Sequence, residues 1–339
     1  MLIYFKGIFN KSMKIAVVGC NGFGRVHLRA IRNIGNIEYY VFSRDEEKAK
    51  ECMKEFNAKG YFTKYEDVLK SDADIIDLIV SHDQHFPMGV QAIKAGKHLM
   101  LEKPIARTLE EAKGLIDAAK ENGVKLMVLE QFFFDSSVRK AKELLPKLGR
   151  ISMIIVRSTN LYQPKGWRAN KEKMGGGALI DGGVHYMNTL LNLGGEYESV
   201  SAVCEKYFSG IEGEDTTVAT FKFKNSSLGV LIYSWATPRP PKLPAFEIYG
   251  ERGSIIEDPQ TRIVMGKPFG DLILHLDDKQ ERIEVEKVSA IEEEIRGFIN
   301  AVEKNTEVPM PPEIALRDLK AVLDVYKACN FQEEYCINL

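Results

Sequence analysis

The chain has 339 residues, 45% of them hydrophobic and 28% charged, with 46 Lys and Arg against 48 Asp and Glu for a formal net charge of -2. That balance excludes the diffuse positive field that holds a polyanion, and the length suits about two domains of roughly 150 residues each. No apolar run approaches the ~20 residues of a membrane span.

The five cysteines (Cys20, Cys52, Cys204, Cys329, Cys336) are scattered and form no C-x-x-C pair. This pattern argues against a zinc knuckle and a disulfide scaffold and favours a reducing compartment. Residues 1–12, MLIYFKGIFNKS, are apolar, but Lys6 interrupts them and no small-residue cleavage site follows. They are read as an N-terminal extension, and the protein is expected to be cytoplasmic.

From Met13 to about Leu129 short β-rich runs alternate with helical stretches, the pattern of a parallel sheet flanked by helices. Lys14 to Val18 is the first strand. It runs into Gly19-Cys20-Asn21-Gly22-Phe23-Gly24 and then a helix. Glycines suit a sharp strand-to-helix turn where pyrophosphate oxygens approach peptide N–H groups. Asn21 holds the middle position of G-x-G-x-x-G, and Asn tolerates a left-handed backbone, which keeps the turn possible.

The second strand, Ile37 to Phe42, ends at Ser43-Arg44 before a helix from Asp45 to about Phe56. An acidic residue there would bond the ribose hydroxyls of NAD and repel a 2′-phosphate. Ser43 removes the repulsion and Arg44 offers a fork of donors, so NADP is favoured over NAD, with Asp45 the counter-argument. Ile75 to Val80 is a central strand. His82-Asp83-Gln84-His85 follows as a strand-to-helix loop, and a helix from Phe86 to Ala95 comes next.

The strand His98 to Leu101 leads to Glu102-Lys103-Pro104, which places a lysine at the carboxyl end of a parallel strand, where such sheets bind ligands. Thr108 and Glu111 form a capping-box signature for a helix that stops near Gly123, and Lys125 to Leu129 is the next strand.

The second half reads as a mostly antiparallel sheet with strands at Ile151 to Arg157, Ser199 to Lys206, Thr217 to Phe223, Leu228 to Ser234 and Phe246 to Tyr249. Asn225-Ser226-Ser227 marks a hairpin tip between two of them. Helices are expected from Ala290 to Lys304 and from Pro312 to Phe331. The fold class is α/β: a Rossmann dinucleotide-binding domain over 13–132, then an α+β domain over 133–339 for substrate binding and oligomerisation.

Within Gly175-Gly176-Gly177-Ala178-Leu179-Ile180-Asp181-Gly182-Gly183-Val184-His185, the i, i+4 spacing puts Asp181 and His185 on one helix face. A carboxylate beside an imidazole fixes its orientation, as acid–base catalysis requires. No third ligand is evident, so no metal is expected. Trp167 and Arg168, just before this run, are candidate pocket residues.

The arrangement resembles the glucose–fructose oxidoreductase/inositol dehydrogenase (Gfo/Idh/MocA) family of NAD(P)-dependent oxidoreductases. The resemblance covers Met13 to about Ala328. It rests on Val18 to His27, on the run from His85 through Ala95-Gly96-Lys97-His98 to Glu102-Lys103-Pro104, on the glycine-rich run ending in His185, and on Gly250-Glu251-Arg252-Gly253-Ser254. It implies that Lys103, Asp181 and His185 form the catalytic set and also contact substrate, together with Trp167 and Arg168.

The cofactor contacts implied are Gly19, Asn21, Gly22, Phe23 and Gly24 in the turn, Ser43 and Arg44 after the second strand, and His82, His85, Glu102 and Lys103. The chain departs from the family pattern at Asn21, at Ser43, at the dipeptide Phe133-Phe134 and at Asn188, the last two departures expected to reshape the substrate pocket.

The expected activity is hydride transfer between NADP and a secondary alcohol or carbonyl of a sugar or polyol-like substrate. His185 would be the proton carrier, Lys103 would polarise the oxygen, and Asp181 would hold His185 or bond a substrate hydroxyl. The alternatives are an NADP-binding sensor without turnover and a reductase of a non-sugar substrate, for which Phe132, Phe133 and Phe134 would suit an apolar pocket. A homodimer or homotetramer through the second-domain sheet is expected, with neither nucleic acid nor membrane as partner.

Overall fold

The computed structural model describes residues 13–262 and 269–330. The N-terminal extension, Phe331 and Cys336 lie outside the described residues.

The first half alternates strands and helices: β1 (Lys14–Val18), α1 (Gly24–Ile34), β2 (Glu38–Phe42), α2 (Glu46–Phe56), β3 (Gly60–Phe62), α3 (Tyr65–Lys70), β4 (Ile75–Leu78), α4 (His82–Lys94), β5 (His98–Glu102), α5 (Leu109–Glu121) and β6 (Leu126–Leu129). The six strands pair in parallel in the order β3-β2-β1-β4-β5-β6. The order reverses between β1 and β4, so loops from opposite halves of the sheet diverge there and open a crevice at the strand carboxyl ends. Strands β1, β4, β5 and β6 are buried almost throughout because helices cover both faces, which is why they read as continuous apolar runs.

Two local expectations change. His82 to His85 are the first turn of α4 and not a loop; Ser81 precedes them in an extended conformation, and Pro87 is accommodated inside the helix. Thr108 does cap α5 by accepting from the Glu111 N–H at 3.1 Å, but the Glu111 carboxylate turns to the Arg107 N–H and guanidinium instead of closing the box.

The second half continues with α6 (Ser136–Leu144), β7 (Ile151–Thr159), α7 (Lys171–Met174), α8 (Val184–Gly194), β8 (Tyr197–Glu205), β9 (Thr216–Phe223), β10 (Leu228–Ser234), β11 (Phe246–Gly250), β12 (Gly253–Glu257), β13 (Leu272–Leu276), β14 (Lys279–Ile283), α9 (Ala290–Glu303) and α10 (Pro312–Ala328). Its eight strands run β14-β13-β12-β11-β7-β10-β9-β8, antiparallel except for the β7–β10 pair.

On β9, Ala219, Phe221 and Phe223 are buried while Val218, Thr220 and Lys222 face outward. One face of this sheet therefore packs on helices and the other is open. α9 returns to pack on α1, and α10 packs on α8, α5 and β8.

Against the expectation of a reducing compartment, one disulfide joins Cys204 on β8 and Cys329 at the end of α10, with Cα atoms 5.8 Å apart. Packing of α10 along the edge strand brings together residues 125 positions apart, a proximity that no sequence spacing announces. Cys20 and Cys52 are buried free thiols.

Candidate active site

The turn after β1 bends because glycine permits two things there. A Cβ on Gly19 would sit 1.9 Å from the Ile79 carbonyl oxygen, and Gly22 has φ +57° with open space around it. The positive-φ residues of the turn are thus Gly19 (φ +110°) and Gly22, and Asn21, expected to tolerate that conformation, is not among them. The Asn21 carbonyl instead accepts the Gly24 N–H at 3.1 Å, starting α1.

The turn fits a pyrophosphate. Gly19, Asn21, Gly22 and Phe23 line a cavity of about 780 Å³, where the peptide groups of the turn leading into an 11-residue helix can meet an anion. Gly24, expected as a contact, does not line it, and its N–H is taken by the Asn21 carbonyl. Phe42, Ser43 and Arg44 line the same cavity, as do Thr63 and Lys64 from the β3–α3 connection, Tyr65 and Glu66 at the start of α3, Ile79 to Ser81, and Trp167 with Arg168 from the second half.

Sequence reading missed the stretch from Thr63 to Glu66. Its signal was the short turn between β3 and α3, which carries no motif. Asp45 is committed elsewhere: its carboxylate caps α2 by accepting the Lys48 N–H at 3.2 Å and pairs with the Lys48 ammonium at 3.3 Å. Neither Arg44 nor Lys64 has an ion-pair partner among the described residues.

At the carboxyl end of β5, the Lys103 ammonium donates to the Asp181 carbonyl at 2.6 Å and lies 3.3 Å from its carboxylate. The Lys103–Pro104 peptide is cis. The Asp181 carboxylate also accepts from Arg168 Nε at 2.9 Å and faces His82 Nε2 at 3.5 Å. Burial works against its ionisation, but the Lys103, His82 and Arg168 groups outweigh this and hold its pKa well below the ordinary carboxylate range. The Arg168 guanidinium stacks over Trp167 at 4.3 Å, and Trp167 meets His82 edge-on at 4.7 Å. Trp167, Arg168, Lys103, Asp181 and His82 therefore form one contiguous cluster.

Asp181 does not hold His185. The His185 Nδ1–H donates to Glu130 at 2.5 Å, just past the end of β6. The physical reason is competition: two cations and an imidazole claim the Asp181 carboxylate, and Leu179–Gly183 runs as a π turn before α8 begins. Such turns insert a residue into a helical ladder and recur at functional sites.

The run is strapped from behind. The Tyr326 hydroxyl accepts the Gly177 and Ile180 N–H groups, and Glu214 accepts the Leu179 N–H and the Tyr326 hydroxyl. Burial pushes the Glu214 carboxyl up to about 7.

Three expected cofactor contacts point into the protein. His85 is fully buried, its Nδ1–H donating to the Pro104 carbonyl at 2.8 Å and its Nε2 lying 3.2 Å from the Val80 carbonyl. Burial, helped by His82, lowers its pKa to about 4. The His82 Nδ1–H donates to the Met174 carbonyl at 2.9 Å.

Glu102 accepts from His27 Nε2 at 3.0 Å, while His27 Nδ1 donates to Asp77 at 3.0 Å. Burial opposes the charge on His27, and the two carboxylates more than offset it, raising its pKa well above the ordinary value. The glycine-turn helix, β4 and β5 are thereby tied by a buried charged triad.

The positions expected to reshape a substrate pocket do not face one. Asn188 is buried and donates to Asp318 on α10 at 2.6 Å. Phe134 is buried beneath the Arg139 guanidinium, and Phe133 packs on Phe134. Phe132, by contrast, stacks on the His185 ring at 4.6 Å with an interplanar angle of 21°. Among the described residues no group of three or more His, Cys, Asp or Glu could hold a metal ion, and no helix is long and apolar enough to cross a membrane.

The profile of an oxidoreductase family with an NAD-binding Rossmann fold (Gfo/Idh/MocA) matches residues 13–130, and that of the Gfo/Idh/MocA C-terminal domain matches residues 138–256. The chain is 26% identical over 307 residues to a 1,5-anhydro-D-fructose reductase of Ensifer adhaerens, covering 88% of this chain and 90% of that protein. It is 26% identical over 312 residues to a scyllo-inositol 2-dehydrogenase (NADP(+)) of Bacillus subtilis, covering 86% and 89%. The structure of a levoglucosan dehydrogenase complexed with NADH and levoglucosan superposes with a TM-score of 0.84 at 20% identity, covering 94% of this chain and 98% of that one.

Proposed function

The chain belongs to the Gfo/Idh/MocA family of oxidoreductases, and from that premise we propose that it moves hydride between NADP and a secondary alcohol or carbonyl of a sugar or polyol-like substrate. The observation that carries this reading is an ammonium at a parallel-strand end anchored on Asp181, whose carboxylate also holds Arg168 at the wall of the glycine-turn cavity, with the His185 imidazole four residues after Asp181 fixed by Glu130. The printed names of the reductase and the inositol dehydrogenase support chemistry at a CH–OH group. In this reading residues 13–132 hold the cofactor, and 133–339 hold the substrate and the assembly surface.

When bound, the nicotinamide supplies the hydride chemistry. The chain supplies the proton and the charge. His185 takes the hydroxyl proton on Nε2 during oxidation and returns it during reduction, since its Nδ1 is occupied by Glu130. Lys103, held by the Asp181 carbonyl and carboxylate, donates to the reacting oxygen and stabilises the negative charge that grows there. Arg168 and Trp167 close the side of the cluster facing the cavity.

NADP is preferred over NAD in this reading because Ser43, Arg44 and Lys64 line the cavity, with Asp45 engaged as a helix cap; Glu66 is the opposing charge. Titration of each cofactor into the protein should give NADP at least tenfold tighter binding, about 1.4 kcal/mol. Ser43→Asp combined with Arg44→Ala should shift the preference towards NAD. Equal affinities in the wild type, or no shift in the double variant, overturn the assignment.

The open face of the second sheet carries the directly paired Val203 and Val218, 62% and 44% exposed, with Leu228 at 54%. An apolar patch of this kind on a sheet face marks an association surface, so a homodimer or homotetramer forms through it. Light scattering at micromolar concentration should report twice or four times 38.3 kDa, and a monomer removes the idea.

A further inference from the structure

We infer that Glu130 is the positioning residue for His185: its carboxylate fixes the proton on Nδ1 and leaves the Nε2 lone pair as the base. The inference rests on the proposed role of His185. Neither the glycine-rich run nor the E-K-P tripeptide contains this residue. Glu130 stands immediately after β6, at the same carboxyl edge of the parallel sheet as Lys103.

The geometry is constrained from three directions. Glu130 Oε1 accepts the His185 Nδ1–H at 2.5 Å and the Phe132 N–H at 3.1 Å. The second bond ties the carboxylate to its own turn, so its rotamer does not depend on the histidine. Two residues on, the Phe132 ring lies nearly parallel to the imidazole at 4.6 Å. Glu130 and Phe132, two residues apart on one turn, therefore grip the imidazole by its edge and its face.

Glu130 is 2% exposed, so the contact is shielded from water and is worth more than a surface bond. The imidazole Nε2 has no partner among the described residues.

The surrounding acids are consistent with this role. Glu294 on α9 is buried, and its Oε2 has no hydrogen-bond partner. Burial, then Glu102, and more weakly Glu130 and Asp77, push its carboxyl well up, with His27 opposing. Burial likewise raises Asp318 to about 6 despite Arg317. Glu294 is thus biased to the neutral form, Asp318 is engaged by Arg317 and Asn188, and neither bonds the imidazole. The tautomer of a histidine is set by the bond its other nitrogen makes, and here Glu130 makes it.

The test uses the full chain labelled with 15N-histidine, with the His185 signals assigned by their loss in His185→Asn. At a pH where the ring is neutral, the wild type should show a protonated Nδ1 and an unprotonated Nε2. Glu130→Met keeps similar bulk without an acceptor and should move the ring to the Nε2–H form. Glu130→Gln, whose amide oxygen can still accept from both N–H groups, should keep the tautomer.

On any alcohol that the wild type oxidises, Glu130→Met should lower kcat about 10- to 100-fold with little change in KM, the scale of losing a supporting hydrogen bond. Glu130→Gln should fall between Glu130→Met and the wild type. If Glu130→Met fails to fold, a wild-type ring carrying its proton on Nε2 still overturns the inference, and Nδ1 protonation with an intermediate Glu130→Gln supports it.

An unchanged tautomer in Glu130→Met overturns it as well. If His185→Asn leaves turnover intact, the proposed role of His185 in the reaction fails, while the tautomer measurement still decides whether Glu130 sets the ring.

Discussion

Lys103→Met is expected to lower turnover by about 10²- to 10³-fold, the cost of removing one preorganised donor to a developing oxyanion, while NADP affinity stays near wild type. The ammonium sits at the carboxyl end of β5, 12% exposed at its side chain, and both of its hydrogen bonds go to Asp181. It does not line the cavity formed by the glycine turn with Ser43 and Arg44, so a methionine there leaves the adenosine side untouched.

Asp181 keeps Arg168 and His82 as partners in this variant, so its carboxylate is not stranded in the interior. A thermal melt alongside the kinetics separates loss of chemistry from loss of fold. Unchanged turnover on a confirmed substrate would take Lys103 out of the mechanism.

His185→Asn should both slow alcohol oxidation and flatten its pH dependence. A base in the oxidative direction works in its neutral form, so removing it takes the protein's own proton acceptor out of the pH dependence. Asparagine cannot accept the proton, and only solvent remains, so the expected loss is about 10²- to 10⁴-fold. Measuring kcat/KM across neutral pH for both proteins checks this.

A profile that keeps its shape means another group is the base. His85 is a poor second choice, because it is fully buried with both ring nitrogens at backbone carbonyls and its pKa is lowered to about 4. Tyr162, 42% exposed and packed edge-on against Trp235, is the group to test next.

Much of the Rossmann half was legible because its information is local. β1, β2, β5 and the helix from Glu46 to Phe56 fall within a residue or two of where apolar runs, caps and glycines put them. A strand buried on both faces must be apolar throughout, and a glycine turn must follow it if a helix is to start at once.

The elements missed in this half, β3 and α3, are three and six residues long, too short to show a period. The start of α4 was misread because His82 to His85 carry polar side chains that look like a loop. In the fold those side chains bond to carbonyls of Met174 and Pro104, which no local pattern predicts.

For the candidate site, the sequence by itself determined which chemical groups are present and on which strand ends and turns they stand: the glycine turn, Ser43 with Arg44, Lys103 after a parallel strand, and Asp181 four residues before His185. Which group pairs with which was decided only by the tertiary structure. Spacing along one helix suggested that Asp181 supports His185. The packing of β5 and the Trp167–Arg168 segment against the π turn instead gives Asp181 to Lys103 and Arg168, and the end of β6 delivers Glu130 to His185. A buried carboxylate bonds whichever donor the surrounding elements bring within about 3 Å, and sequence separations of 78 and 55 residues for the Lys103–Asp181 and Glu130–His185 pairs lie beyond any local rule.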